Sequence, residues 1–287
     1  GRDYKELCKS DDVEFSRLGV LRMDVDNLGM IFQKGISPER ANLSRYAALS
    51  RSFDYFFAGY LNTIYKEVAP QYSQIIYSGG DDLFIVGDWK SMIDIAKRIH
   101  DDFAEYTCYN TNFSISGGIA IVEPNFPIMK AAMESQEEED HAKHHGNKNS
   151  ISMMDMPLNW TYEFPAVEKL KDHLLSLLAI KKLSKSFLSK ISILNNMAKI
   201  EPKGKDGQRI ITNMKVYWML SYDMKRLEKE SRKNEYDKPI IENVVREVYS
   251  GSKTLDGQKI TTKYHALELW AFACRWAELE DRSNKNK

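Results

Sequence analysis

The chain has 287 residues, and its 41 Lys+Arg balance 41 Asp+Glu, so it is formally neutral at pH 7 although 29% of its residues are charged. This length makes one large or two ordinary domains. The balance argues against an indiscriminate nucleic-acid binder, which is usually basic, and leaves room for a local basic groove. No stretch approaches the ~20 apolar residues of a membrane helix. Cys8, Cys108 and Cys274 are too few and too scattered for a disulfide framework or a zinc pattern, which points to a reducing cytoplasm. Cys8 is also compatible with the edge of a metal-binding element that precedes the chain. The N-terminus, Gly1-Arg2-Asp3-Tyr4-Lys5, lacks an initiating Met and the apolar core of a signal peptide, as expected of a fragment or a processed chain.

Leu18-Gly19-Val20-Leu21-Arg22-Met23-Asp24-Val25-Asp26-Asn27-Leu28-Gly29 reads as a buried strand ending in carboxylates. Asp24 falls at the strand end, where such sheets usually place ligands; Asp26 and Asn27 suit an Asx turn and a helix N-cap. Ser37 as N-cap and Pro38 at the first helical position open a helix to about Val68, with Leu43, Phe53, Phe56, Phe57, Tyr60, Leu61 and Ile64 along its apolar stripe. Gln74–Tyr77 and Leu83–Val86 are two short strands around Ser78-Gly79-Gly80-Asp81-Asp82. Two glycines between strands signal a tight hairpin, because the favoured turns need positive φ. Their bare backbone admits a bulky anion, and the adjacent aspartates repel unless a cation or several donors compensate them. One carboxylate from the first strand and more from the hairpin is what a two-metal phosphoryl-transfer site requires.

A helix over about 89–106 follows, then a strand over 113–122 whose Gly117-Gly118 marks a bulge or a close backbone approach. A helix over about 126–144 leads to a last strand, 150–154. The acidic run 137–140 is expected on an exposed face, and His141, His144 and His145 at a solvated helix end. The order β-α-β-β-α-β, with an extra α-β, is α+β and ferredoxin-like over residues 1–157. Right-handed crossovers place its long helices on one face and leave the other toward a partner or substrate. From 158 to 287 strand signals largely vanish, and the pattern predicts an all-α bundle of four or five helices. Residues 201–207 form a linker, and 282–287 a disordered tail. Lys203, Lys205, Lys225, Arg226, Lys229, Arg232 and Lys233 make this half locally basic; with Tyr217, Trp218 and Tyr222 they read as a charged outer face over core aromatics, or as an RNA-backbone contact. No nucleophile elbow, Walker loop, dinucleotide fingerprint or His-Asp nuclease motif occurs.

Asp-Val-Asp-Asn-Leu-Gly (24–29) and Tyr-Ser-Gly-Gly-Asp-Asp-Leu-Phe-Ile-Val-Gly (77–87) resemble the second palm domain of the large polymerase-like subunit of type III CRISPR effector complexes. Ser44-Arg45 or Ser50-Arg51 with Phe56-Phe57, and Ala142-Lys143-His144-His145-Gly146-Asn147-Lys148-Asn149, are similar to two further elements of that family; the latter has one extra residue before Lys148. Diguanylate cyclases share the palm, but their hairpin continues Asp/Glu-Glu-Phe where this one has Asp81-Asp82-Leu83. The resemblance implies a nucleotidyltransferase that condenses ATP into cyclic oligoadenylate when the complex binds target RNA, in antiviral defence. Asp24 and Asp82 would hold Mg²⁺ or Mn²⁺, with Asp81 as a further ligand. Asn27, Ser78, Gly79, Gly80, Lys143 and Lys148 would bind the nucleotide. It also implies docking of the helical half on other subunits of the ribonucleoprotein, with guide and target RNA contacted mostly indirectly. In that family the ATP sites form between two palms, and the first palm and a nuclease domain are outside this chain; a palm–palm dimer would be a substitute. Two alternatives remain: a catalytically incomplete palm serving as an assembly module, and a stand-alone cyclase making a cyclic dinucleotide from GTP.

Overall fold

The apolar run near the start of the chain becomes strand β1 (Leu18–Val25). It lies within a six-stranded sheet of a computed structural model that describes Leu7 and residues 15–203, 208–234 and 237–284. Cys8, Lys205 and residues 285–287 lie outside the described residues, as do the side chains of Lys203, Arg232 and Lys233. The other strands are β2 (Ser73–Gly79), β3 (Asp82–Asp88), β4 (Ile115–Val122), β5 (Ser150–Met153) and β6 (Met156–Asn159), in the order β2-β3-β1-β4-β5-β6. β1 runs antiparallel to both β3 and β4, the ferredoxin-like arrangement, while β5 joins parallel to β4 and β6 closes a hairpin on β5. The hairpin partner β6 carries no strong strand signal, and it extends this unit through Trp160; a second unit begins at Thr161.

The helix expected from Ser37 is three elements instead. Ser37 O accepts from the Arg40 and Ala41 amides in a turn. Helix α2 (Leu43–Asp54) starts later, capped by the Asn42 side chain on the Arg45 amide at 2.9 Å. A π-helical segment, Tyr55–Tyr60, then joins it to α3 (Leu61–Val68). The wider π turn rotates the apolar stripe. Phe53, Phe56, Phe57, Leu61 and Ile64 are therefore buried, while Leu43 is 85% exposed. Short α1 (Leu28–Lys34) fills the link after β1. Helix α4 (Trp89–Tyr106) is capped by Asp88 and packs Phe103 against Phe53, Phe56 and Phe57.

Strand alternation assigns the faces. Gly19 abuts Trp89 and Met92 of α4, so Leu21 and Met23 point to the face shared by α2, α3 and α4. Leu18, Val20, Arg22 and Asp24 point the other way. That face is not left open: α5 (Ile128–His144) crosses it, with Ala131 in a core cluster with Leu18, Val20, Val86, Ala120 and Val122. Gly118 is where the helix descends onto the sheet, since a methyl there would lie 2.2 Å from the Glu139 nitrogen. Gly117-Gly118 is thus a close approach, with the β1–β4 register unbroken.

Among its described residues the second unit holds five helices, α6 (Glu163–Ala179), α7 (Lys185–Met197), α8 (Lys215–Asn234), α9 (Lys238–Ser250) and α10 (Ala266–Asn284). It also holds two small hairpins, β7 (Ile200–Lys203) with β8 (Gln208–Ile211) and β9 (Thr254–Leu255) with β10 (Gln258–Lys259), where only helices and a linker were expected. Val216, Leu220, Met224 and Leu227 are the buried side of α8, so Trp218 and Tyr222, expected in the core, are outside, 79% and 69% exposed. No helix among the described residues is long and apolar enough to cross a membrane. His265 precedes α10 as its cap: its Nδ1 accepts from the Leu267 amide at 3.2 Å, and Glu268 Oε2 accepts from the His265 amide at 2.8 Å. Burial, then the nearby Arg209 cation, pushes the imidazole down to about 4.

Two outcomes are expected. Gly118→Ala should lift α5 from β4 and cost about 1–3 kcal/mol, read as a lowered Tm; an unchanged Tm would contradict the contact. Because the folded pKa of His265 lies below its unfolded value near 6.5, its contribution is present above pH ~6.5 and lost as pH falls toward 4, at most about 3 kcal/mol. Thermal unfolding from pH 7 to 4.5 should lose stability less steeply in His265→Asn, which keeps a capping acceptor without the titration.

Candidate functional site

The hairpin between β2 and β3 brings the carboxylates together. The turn residues are Gly80 and Asp81, with positive φ at Gly80 (67°) and not at Asp81, the type II′ pattern that favours Gly first. Gly79 ends β2 in extended pairing with Asp82. In the β1–β3 register Asp24 faces Asp82 directly, and the Val25 amide donates to Asp81 O at 3.1 Å, tying the tip to the end of β1. Asp81 is held above the usual carboxylate range by partial burial first, then by the charge of Asp24, with which it hydrogen-bonds, and by that of Asp82. Asp82 in turn raises the Tyr77 hydroxyl, by its charge and then by a hydrogen bond.

α5 supplies the compensating cation. Lys143 Nζ lies 2.5 Å from Asp24 Oδ2 and 2.5 Å from Glu139 Oε1, one helical turn back. Burial works against this ammonium, but the hydrogen bonds to Asp24 and Glu139 outweigh it and keep Lys143 above its ordinary range. Arg22, two residues before Asp24, contacts Glu139 Oε2 at 3.5 Å, and its guanidinium lies over the Phe84 ring. The acidic run is only half exposed: Glu137 and Asp140 are exposed, whereas Glu138 and Glu139 are buried. Glu138 accepts from Ser152 Oγ and, at 2.7 Å, from the Asp155 amide. The i, i+4 spacing of Glu139 and Lys143 is the signal that could have paired them from sequence.

The other expected site residues fall out differently. Ser78 Oγ donates to the Phe57 carbonyl of the π-helical segment, so this hydroxyl anchors the hairpin to the helical layer. Asn27 is exposed and left-handed (φ 58°), and it caps α1 through its carbonyl, which accepts from the Met30 and Ile31 amides, without a side-chain cap bond. Lys148 is also left-handed (φ 64°), in the loop between α5 and β5. Asp26 is no surface turn residue. It is 1% exposed, and its Oδ2 accepts from Ser114 Oγ at 2.7 Å, Ser116 Oγ at 2.9 Å and the Asn149 amide at 3.0 Å. The histidines do not converge: His144 Nδ1 meets Asp140 O at 2.7 Å, and His141 lies 4.0 Å from Glu138.

The donor set at the end of β1 fits a hard divalent cation: Asp24 and Asp81 are within hydrogen-bonding distance of each other, with Asp82 adjacent, all oxygen ligands. Among the described residues, however, no three His, Cys, Asp or Glu side chains converge as a ready metal cluster, and Asp24 is engaged by Lys143.

Residues 17–152 match the family model described as Cas10/Cmr2, second palm domain. A Methanocaldococcus jannaschii protein named CRISPR system single-strand-specific deoxyribonuclease Cas10/Csm1 (subtype III-A) is 34% identical over 183 residues, 55% of this chain and 23% of its own length. The protein of the same name from Enterococcus italicus is 40% identical over 142 residues, 50% of this chain and 18% of its own. The chain thus spans about a fifth of these relatives. A Csm1–Csm4 cassette crystallised with cA4 superposes with a TM-score of 0.64 at 19% identity, over 92% of this chain and 36% of that one. A cassette crystallised with one ATP gives 0.55 at 21% identity, over 90% and 36%. At these identities the two structures establish likeness of fold.

Since the Lys143 ammonium occupies Asp24, it competes with any other cation there. Lys143→Met is expected to tighten Mn²⁺ binding to the nucleotide-free chain roughly tenfold, the scale of one close charge pair. Mn²⁺ titration followed by electron paramagnetic resonance reads this directly; equal or weaker binding by the variant would contradict the competition.

Proposed function

We propose that this chain, which carries the Cas10/Cmr2 second palm domain in residues 17–152, is the nucleotidyltransferase palm and helical docking unit of a type III CRISPR effector subunit. It converts ATP to cyclic oligoadenylate when the complex binds target RNA, by 3′–5′ transfer with release of pyrophosphate. One observation carries this reading: strand register sets Asp24 opposite Asp82 beside an open glycine hairpin whose turn carries Asp81, with a lysine already bound to Asp24. The ATP and cA4 complexes of the Csm1–Csm4 cassettes support the substrate class.

Asp24 and Asp82, with Asp81, would hold Mg²⁺ or Mn²⁺, which when bound activates an attacking hydroxyl and offsets charge on the leaving oxygen. The chain's own contribution is positioning and charge. Gly79 and Gly80 keep side chains away from the triphosphate. Ser78, by holding the Phe57 carbonyl, fixes the hairpin against the helices, and its oxygen retains a lone pair for a nucleotide donor. Lys143, held by Asp24 and Glu139, would turn to the phosphates were Asp24 to ligate the metal, with Glu139 keeping it within reach. Lys148 meets the same phosphates from the loop after α5. Asn27, exposed at the end of β1, lies where a nucleotide would contact it. The site works in a reducing cytoplasm, facing a second palm supplied by the rest of the subunit or by a dimer. The second unit docks on other subunits of the ribonucleoprotein.

The test uses the intact effector complex with labelled ATP, Mg²⁺ and target RNA. The Asp81→Ala/Asp82→Ala variant should assemble normally and lose cyclic oligoadenylate synthesis by at least about 100-fold, the scale of removing charge stabilisation from a transition state. Normal product yield would sink the proposal.

A further inference from the structure

Asp26 lies two residues from Asp24, yet it is 1% exposed and meets neither Lys143 nor the hairpin in any contact that accounts for the site. Three donors converge on its Oδ2: two hydroxyls of the segment leading into and starting β4, Ser114 and Ser116, and the Asn149 backbone amide. Its Oδ1 is buried with no hydrogen-bond partner among the described residues. Ser116 Oγ also accepts from the Ser150 amide at 3.3 Å, and the Asp26 amide donates to Ser114 O at 2.9 Å.

What this carboxylate holds is a strained loop. Gly146, Lys148 and Asn149 all have positive φ, at 58°, 64° and 49°. Left-handed conformation costs a non-glycine residue of order 1 kcal/mol and persists only where the surroundings impose it. Here the Lys148 amide donates to His145 O at 3.0 Å and Lys148 O accepts from Ser150 Oγ at 2.8 Å. Asn149 N is bound by Asp26, and Asn149 O accepts from the Trp160 amide at 3.0 Å and Asn159 Nδ2 at 3.2 Å. Lys148 sits immediately before this anchored residue.

We propose that Asp26 is a positioning residue for nucleotide binding: by clamping the Asn149 amide to the end of β1, it fixes Lys148 at a set distance from Asp24, so that the triphosphate is grasped from both sides. This rests on the function proposed above, in which Lys148 meets the phosphates. The work is done by one accepting oxygen, so an amide serves as well as a carboxylate. Asp26→Asn presents the same acceptor to all three donors and replaces the orphaned oxygen; Asp26→Ala removes the clamp.

The experiment is ATP-dependent synthesis by the intact effector complex, with KM for ATP and kcat measured separately. Asp26→Ala should raise KM about tenfold with kcat within about threefold, and Asp26→Asn should stay within about threefold of the parent in both. Ser116→Ala, which deletes one donor and is less disruptive if Asp26→Ala fails to fold, should raise KM in the same direction by a smaller factor. A merely structural role would lower the Tm and the active fraction, hence kcat, and leave KM alone. In a Lys148→Ala background neither substitution should raise KM further, because both act through that lysine. Multiplying effects, an unmoved KM, or a silent Lys148→Ala would overturn the inference. The Asp81→Ala/Asp82→Ala variant reports separately on the proposed activity: its loss of synthesis alongside any of those results discards the role of Asp26 alone.

Discussion

Two carboxylates within hydrogen-bonding distance need a proton or a cation between them, and at the end of β1 that constraint falls on Asp24 and Asp81. Strand pairing creates the problem, since the β1–β3 register sets Asp24 opposite Asp82 and the turn delivers Asp81 to the same point. The fold answers with a lysine from a different element, and Glu139 keeps that lysine from leaving entirely. The result is a site in which a lysine offsets part of the negative charge, with Asp24 and Asp82 paired across the strands.

The lysine arrives because α5 packs directly onto β4 at Gly118. Gly118 admits the Glu139 backbone where any side chain would collide, and Arg22 below meets Glu139 from the strand. Three residue choices on three elements thus serve one distance, Lys143 to Asp24. α5 also explains why the sheet face opposite α2–α4 is not free: its N-terminal part covers the apolar end, around Val20 and Ala131, and its C-terminal part leaves the carboxylate end accessible.

Much of this was legible in the chain. Continuous hydrophobicity marked β1, glycines marked the hairpin, and a clean 3.6-residue stripe marked α4 with the bounds it has in the structure. The spacing of Asp24 and the hairpin aspartates already implied a shared site. What could not be read depends on contacts far apart in sequence. Pattern alone treats residues 37–68 as one helix, because a π-helical segment keeps the helical composition while rotating its stripe. Charge alone puts Glu138 and Glu139 in water, whereas their partners Ser152, Asp155, Arg22 and Lys143 let both be buried. The exposure of Trp218 and Tyr222 inverts the usual preference of aromatic residues, and the same helix buries Val216, Leu220 and Met224 instead.

Asp24 and Asp26 make the limit concrete. They share a residue type and a two-residue spacing that would place them on one strand face, although β1 ends at Val25, between them. What separates them is the supply of neutral donors. Asp26 meets two serine hydroxyls and an amide from positions 114, 116 and 149, enough to hold a carboxylate in the interior as a structural acceptor. Asp24 meets a mobile type of cation, a lysine on a long stem, together with a second carboxylate. A carboxylate satisfied by fixed dipoles is committed to the fold, whereas one satisfied by an exchangeable charge remains available for chemistry. The pair Asp-Val-Asp therefore divides by environment: Asp24 is held by an exchangeable lysine, and Asp26 holds the Asn149 amide of the loop after α5.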